Sequence, residues 1–248
     1  MLVLAFFVTA VLYASVGFGG GSTYNALLIL TNIDYTLIPV IALFCNFIVV
    51  SGNSIRYYQN QLIPWKFTLP VILISIPFAW LGGKTIINKD LFILILAWTL
   101  LISGLLMLLR QKEIVNPSKL LDSFIGKTSS LIVSAALGFL AGLVGVGGGI
   151  FFAPLLYLSK ALPTKNIAAF ASFFILVNSV SGLIGQFMKH NNAEIFLDVM
   201  GHGWLFIAVL IGGQIGSRLS IKKFKPIIIR RLTALLVIYV GCRLLLLA

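Results

Sequence analysis

Two glycine clusters constrain this chain more than any other feature. The first reads Ser15-Val16-Gly17-Phe18-Gly19-Gly20-Gly21, and the second Leu143-Val144-Gly145-Val146-Gly147-Gly148-Gly149. Five of the seven positions are identical, at a spacing of 128 residues in a chain of 248. Each cluster interrupts a long apolar run. Glycine costs about 1 kcal/mol against alanine inside a helix, so four at nearly adjacent positions predict a break. Broken helices at matching places in two halves of a chain point to the binding region of a transporter.

The apolar runs decide the solvent. Sixty per cent of the residues are hydrophobic, 10% are charged, and the mean hydropathy is +1.09. A soluble domain of this size could not cover that much apolar surface, so the composition implies a polytopic membrane protein. The net charge of +12 is spread singly or in short groups between apolar runs. That is how orientation signals are distributed in a bilayer protein, and it does not indicate nucleic acid. Residues 1–16 are apolar without a preceding basic region, and no cleavable signal peptide is expected. Cys45 and Cys242 lie in apolar segments without a CxxC partner and read as packing residues.

Read in order, the pattern runs twice. In the first half, an apolar segment from Leu2 to Val16 meets the glycines, followed by a short stretch from Ser22 to Leu30. Spans are then expected at 37–55, 67–83 and 91–109. In the second half the segment 128–144 meets the glycines, followed by 150–158. Spans are then expected at 166–188, 199–217 and 232–247, with a polar loop at 189–198. Other pairs reinforce the repeat: Ser51-Gly52 faces Ser181-Gly182, and Gly82-Gly83-Lys84 faces Gly216-Ser217-Arg218. The reading is a repeat at 1–109, a cytoplasmic linker at 110–127 and a second repeat at 128–248.

The positive-inside rule sets the orientation. If each broken segment is a re-entrant hairpin, 14 of the Lys and Arg residues fall on one side and 4 on the other. If each crosses, the split is 10 against 8. The bias favours hairpins. The expected fold is therefore all-α and polytopic, with two repeats of one glycine-broken re-entrant hairpin and three transmembrane helices each. Three crossings are an odd number, so the repeats are inverted and the glycine tips can meet near the midplane. The segment 128–144 is long for half a hairpin, and a nearly full crossing is the alternative there.

A helix restarting at about Ser22 or Ile150 presents amides without intrahelical partners at the positive end of its dipole. Glycines let a ligand approach that backbone closely, and such a site suits an anion. All six carboxylates lie in loops or at helix ends, so none is placed at mid-membrane to hold a cation. Unwound carbonyls could still do so. The expected substrate-binding residues are Gly19, Gly20, Gly21, Ser22, Thr23, Gly147, Gly148 and Gly149, with Asn46 and Asn178 as central polar side chains. Asn25, Ser51, Asn53, Ser172 and Ser181 accompany them. For all these side chains the competing reading is hydrogen-bonded glue between helices, and for the glycines it is close helix packing. No GK[ST] follows the clusters, which excludes a phosphate-binding loop. Ser22 has no convincing catalytic partner, so no enzyme is expected. No cofactor or metal site is expected either. His202, at the start of a span, is a minor candidate for a proton relay.

The motifs Gly17-Phe-Gly-Gly-Gly-Ser22 and Gly145-Val-Gly-Gly-Gly-Ile-Phe-Phe-Ala-Pro154, in two repeats of hydrophobic helices, resemble the sulfite exporter TauE/SafE family of bacterial membrane proteins. The resemblance covers nearly the whole chain. It implies a secondary transporter of sulfur-containing oxyanions, such as sulfite or organosulfonates, working outward across the bacterial inner membrane. Its partners would be a small anionic substrate, the lipid bilayer and, for coupling, protons. The first copy departs at Ala26, where the second has Pro154, so the two half-sites need not be equivalent. The cysteine motifs of the related thiosulfate importers are absent. The alternatives are a passive anion channel, or a transporter of another small anion or a metal ion on the same fold. The oligomeric state is left open.

Overall fold

The computed structural model describes residues 1–31, 33–108, 124–160, 162–189, 192–219 and 227–247. The expected linker at 110–127 lies outside the described residues up to position 123, as does much of the basic stretch at 218–231. Among the described residues, helix is the only regular secondary structure. In chain order the helices are α1 Leu2–Ser15, α2 Gly21–Leu30, α3 Ile38–Gln59, α4 Trp65–Lys84, α5 Lys89–Leu108 and α6 Phe124–Val144. They continue with α7 Gly149–Leu158, α8 Thr164–Lys189, α9 Asn192–Gly201, α10 Gly203–Leu219 and α11 Ile227–Leu247.

Four helices among the described residues are long and apolar enough to cross a bilayer: Ile38–Gln59, Trp65–Lys84, Lys89–Leu106 and Thr164–Lys189. Shorter apolar helices surround them. The outer faces carry large exposed apolar side chains, such as Leu69, Leu73 and Phe78 on α4 and Trp204, Ile207 and Ile211 on α10. Hydrocarbon is the solvent that suits such faces, and the chain is a multi-pass membrane protein.

The long helices α3 and α8 pack together at the centre. On one side α4 packs against α6 and α8; on the other α10 packs against α1 and α3. Helices α5 and α11 pair at the periphery. Glycines make these close approaches, as expected where apolar lipid supplies no drive for helices to associate and van der Waals packing must. The contacts come in matched sets. Gly82 of α4 sits on Phe139 of α6, while Gly216 of α10 sits on Val11 of α1. Gly83 meets Gly182, while Ser217 meets Gly52. Gly104 meets Ile238 across the peripheral pair, and Gly241 meets Leu101.

Three local expectations need correction. Helix α6 begins at Phe124 rather than Thr128 and has 21 residues, about 31 Å at 1.5 Å per residue. That is long enough to cross fully. The polar stretch expected as a loop at 189–198 is largely helical: Lys189 ends α8 and α9 starts at Asn192. Ala193, Glu194 and Leu197 are good helix formers, and polarity alone misread them. The span expected at 199–217 is also broken, at His202 between Gly201 and Gly203. There the His202 amide closes onto Val199 O at 3.0 Å and the Leu205 amide onto His202 O at 2.9 Å. His202 Nδ1 lies 2.9 Å from Asp198 O, so the ring belongs to this local turn.

Candidate functional site where the glycine turns meet

The two glycine turns share a backbone design. Gly17 and Gly20 have φ of 85° and 92°; Gly145, Gly147 and Gly148 have 79°, 85° and 59°. These angles lie where a Cβ is disfavoured. Helix α2 starts at Gly21 with Gly20 as its cap, and α7 starts at Gly149 with Gly148 as its cap. Neither cap has a side chain to offer the first amides. Among the described residues, the amides of Gly19, Gly20, Gly21 and Ser22 have no hydrogen-bond acceptor. In the second turn the same holds for Val146, Gly147, Gly148 and Ile150, while the Gly149 amide folds back onto Gly147 O. All these residues are buried. Buried backbone donors are seldom left without a partner.

The fold brings the turns against one another. A methyl group on Gly21 would stand 2.6 Å from Gly145 O and 2.9 Å from Val146 O. Asn46 of α3 lies between the turns. Its Nδ2 donates to Gly145 O at 3.0 Å. The same nitrogen would lie 2.5 Å from a methyl on Gly21 and 3.0 Å from one on Gly147, while its Oδ1 lies against Gly19. Asn25 of α2 donates to the preceding carbonyl, Val144 O, at 2.7 Å. In the reverse direction Ser172 of α8 donates to Gly17 O. The first glycine carbonyl of each turn is thus held by a side chain from the central helix of the other half. Ile175 of α8 closes the junction, within 3.2 Å of a methyl on Gly19 and 3.0 Å of one on Gly147.

The remaining expected residues divide. Ser22 and Thr23 are buried and share a hydroxyl cluster with Tyr13 of α1, at 3.4 and 2.8 Å. Gly20 lies among Thr9, Tyr13 and Tyr24; Gly148 lies against Leu137 O and the Phe174 ring. Asn178 is fully buried, but its Nδ2 donates within its own helix, to Phe174 O at 2.8 Å. No hydrogen bond joins it to either turn among the described residues. Tyr13 and Ile175 were not apparent from the sequence. A phenol four residues before a helix-ending glycine, in an otherwise apolar helix, was the one available signal for Tyr13, since a buried phenol needs a partner.

Chemically, the junction offers two helix N-termini with free amides, where the dipoles favour negative charge. Beside them are two buried acceptors without partners, Asn25 Oδ1 and Asn46 Oδ1.

A family model described as "Sulfite exporter TauE/SafE" matches residues 2–244. The chain is 29% identical over 248 residues to the probable membrane transporter protein y4hK of Sinorhizobium fredii, covering 98% of this chain and 97% of that one. It is 29% identical over 239 residues to the probable membrane transporter protein MJ0441 of Methanocaldococcus jannaschii, covering 90% and 85%. A shorter match of 120 residues at 27% identity reaches the probable membrane transporter protein YunE of Bacillus subtilis, covering 46% and 40%. No solved structure matches the chain.

Proposed function

The chain belongs to the sulfite exporter TauE/SafE family, and we propose that it is a secondary transporter exporting a sulfur-containing oxyanion, such as sulfite or an organosulfonate, across a bacterial inner membrane. The observation that carries this reading is the meeting of the two glycine turns, with eight buried backbone amides in them left without acceptors among the described residues. An oxyanion bound between α2 and α7 would give those amides partners and bring a negative charge to both helix N-termini. Ser22 and Thr23 supply hydroxyls at the first N-terminus.

The matched packing of α1 with α10 and α6 with α4 supports a transport cycle in which the two halves exchange roles. In an inverted arrangement, rocking one pair would open the junction to one side and rocking the other pair would open it to the opposite side. The charge distribution supports that arrangement, with the basic loops cytoplasmic. A proton gradient is the proposed driving force.

A second reading, a cation as the cargo, is favoured by the unpartnered Asn25 Oδ1 and Asn46 Oδ1 beside the carbonyls of the second turn. One assay separates these readings from each other and from a passive channel. Purified protein in liposomes is expected to accumulate radiolabelled sulfite against its gradient when an opposing proton gradient is imposed. Flux that only dissipates the sulfite gradient would identify a channel. Metal-ion uptake without sulfite movement would establish the cation reading.

A further inference from the structure

Asn46 Oδ1 is a hydrogen-bond acceptor in a place where an anion site should offer donors. Asn46 is fully buried, and this oxygen has no partner. Its orientation is held by the other end of the amide: Nδ2 donates to Gly145 O at 3.0 Å. Turning the amide over would set Oδ1 against that carbonyl oxygen, so Oδ1 must face Gly19 of the first turn. A buried acceptor left without a donor costs about 1–3 kcal/mol. A fully deprotonated oxyanion has no hydrogen to give it, and its oxygens would confront Oδ1 directly. A ligand with one O–H beside charged oxygens satisfies both sets of groups.

We infer that the site selects the monoprotonated form of its oxyanion. The ligand O–H donates to Asn46 Oδ1, and the charged oxygens accept from the amides of the turns. This rests on the anion reading above, narrows its cargo from organosulfonates to a sulfite-type ligand that carries an O–H, and adds a specificity residue and a protonation state. The titratable side chains bordering the turns are Tyr13 of α1, Tyr24 of α2, and Cys45 and Tyr57 of α3; those of α8 in contact with the turns, Ala168, Ala171, Phe174 and Ile175, do not titrate. Ordinary phenols and thiols ionise at about 10 and 8.5. Sulfite loses its second proton near neutral pH, so the pH dependence there comes from the ligand.

Calorimetric titration of the purified wild-type protein with sulfite, methanesulfonate and sulfate tests this. Methanesulfonate carries the charge of hydrogensulfite but has no O–H; sulfate is a dianion. At about pH 6 hydrogensulfite is expected to bind at least about tenfold more tightly than methanesulfonate, a gap one buried hydrogen bond can supply. The apparent affinity for total sulfite is expected to fall about tenfold per pH unit above the ligand's pKa, because only the protonated form binds. In Asn46→Leu the preference for hydrogensulfite over methanesulfonate disappears; if that variant does not fold, the ligand series alone decides. Equal binding of methanesulfonate, or sulfite affinity that holds or rises with pH, overturns the inference while leaving the anion site standing. Sodium-dependent sulfite binding without pH dependence overturns it by placing a cation on Oδ1. If none of the three anions binds at about pH 6 or above the ligand's pKa, the anion site itself fails.

Discussion

The two glycine turns each cap a helix with a positive-φ glycine and carry opposite side chains. After the first, α2 opens with Ser22, Thr23, Tyr24 and Asn25; after the second, α7 opens with Ile150, Phe151, Phe152 and Ala153. The first start is tied by hydroxyls and an amide to Tyr13 and to Val144 O. The second is packed in aromatic rings, with Phe152 at 5.0 Å from Phe170 and 5.5 Å from Phe174, edge to face. The comparison separates two jobs. What the turns share, left-handed glycines and free helix-starting amides, is what an anion needs from a backbone. What they do not share sets polarity: the first start is lined by hydroxyls and an amide, the second by an apolar wall.

The largest effect is expected where the shared backbone is disturbed. In Gly21→Ala the new methyl lies 2.5 Å from Asn46 Nδ2, and in Gly149→Ala 2.7 Å from Ile175 Cγ1. Both positions are helical, so the helices persist while Gly21→Ala forces the turns apart and Gly149→Ala pushes α7 off Ile175 and Ala171 of α8. Liposome uptake is expected to drop about a hundredfold in each, the scale of a misplacement near 1 Å. Full activity in both would break the idea that the turns act together.

Next comes the cross-turn amide. Asn25→Ala removes the donor to Val144 O, at about 1–3 kcal/mol, read as a lowered thermal midpoint in detergent. The counterpart change, Ala153→Asn, adds a buried amide without that arrangement and is expected to destabilise rather than restore symmetry. A stabilised Ala153→Asn would show that the two starts are interchangeable. A smaller effect belongs to Tyr13→Phe, which deletes the hydroxyl shared with Thr23 and Ser22. Loss of one buried hydrogen bond is worth about 1 kcal/mol, so sulfite affinity is expected to fall roughly fivefold. Phe152→Leu is expected to have the smallest effect on binding, leaving sulfite affinity unchanged while the lost ring packing costs about 1–2 kcal/mol of stability. An affinity loss there would give the second half a share in binding.

Much of this arrangement was legible because it depends on local chemistry. The helix restarts expected at about Ser22 and Ile150 occur at Gly21 and Gly149, since a glycine run unsuited to helix interiors sets the boundary whatever surrounds it. Helix α9 was misread because polarity was taken for a loop. The break at His202 was missed because an apolar span was read through two glycines.

Asn46 and Asn178 show the limit most clearly. Both are central amides on long apolar helices, and hydropathy treats them alike. One lies between the two turns and bonds the second of them, 99 residues away in sequence; the other bonds its own helix. Which of the two faces the junction depends on the rotation of α3 and α8 about their axes. That rotation is decided by glycine contacts with α4, α6 and α10, which no local pattern encodes.

By itself, then, the sequence determined the solvent and the two turns. Those follow from composition and from glycine's backbone freedom. Only the tertiary structure decided that the turns meet, that Asn46 lies between them and that its oxygen faces Gly19 without a partner. Those are distances between elements, set by packing of the whole bundle rather than by any one segment.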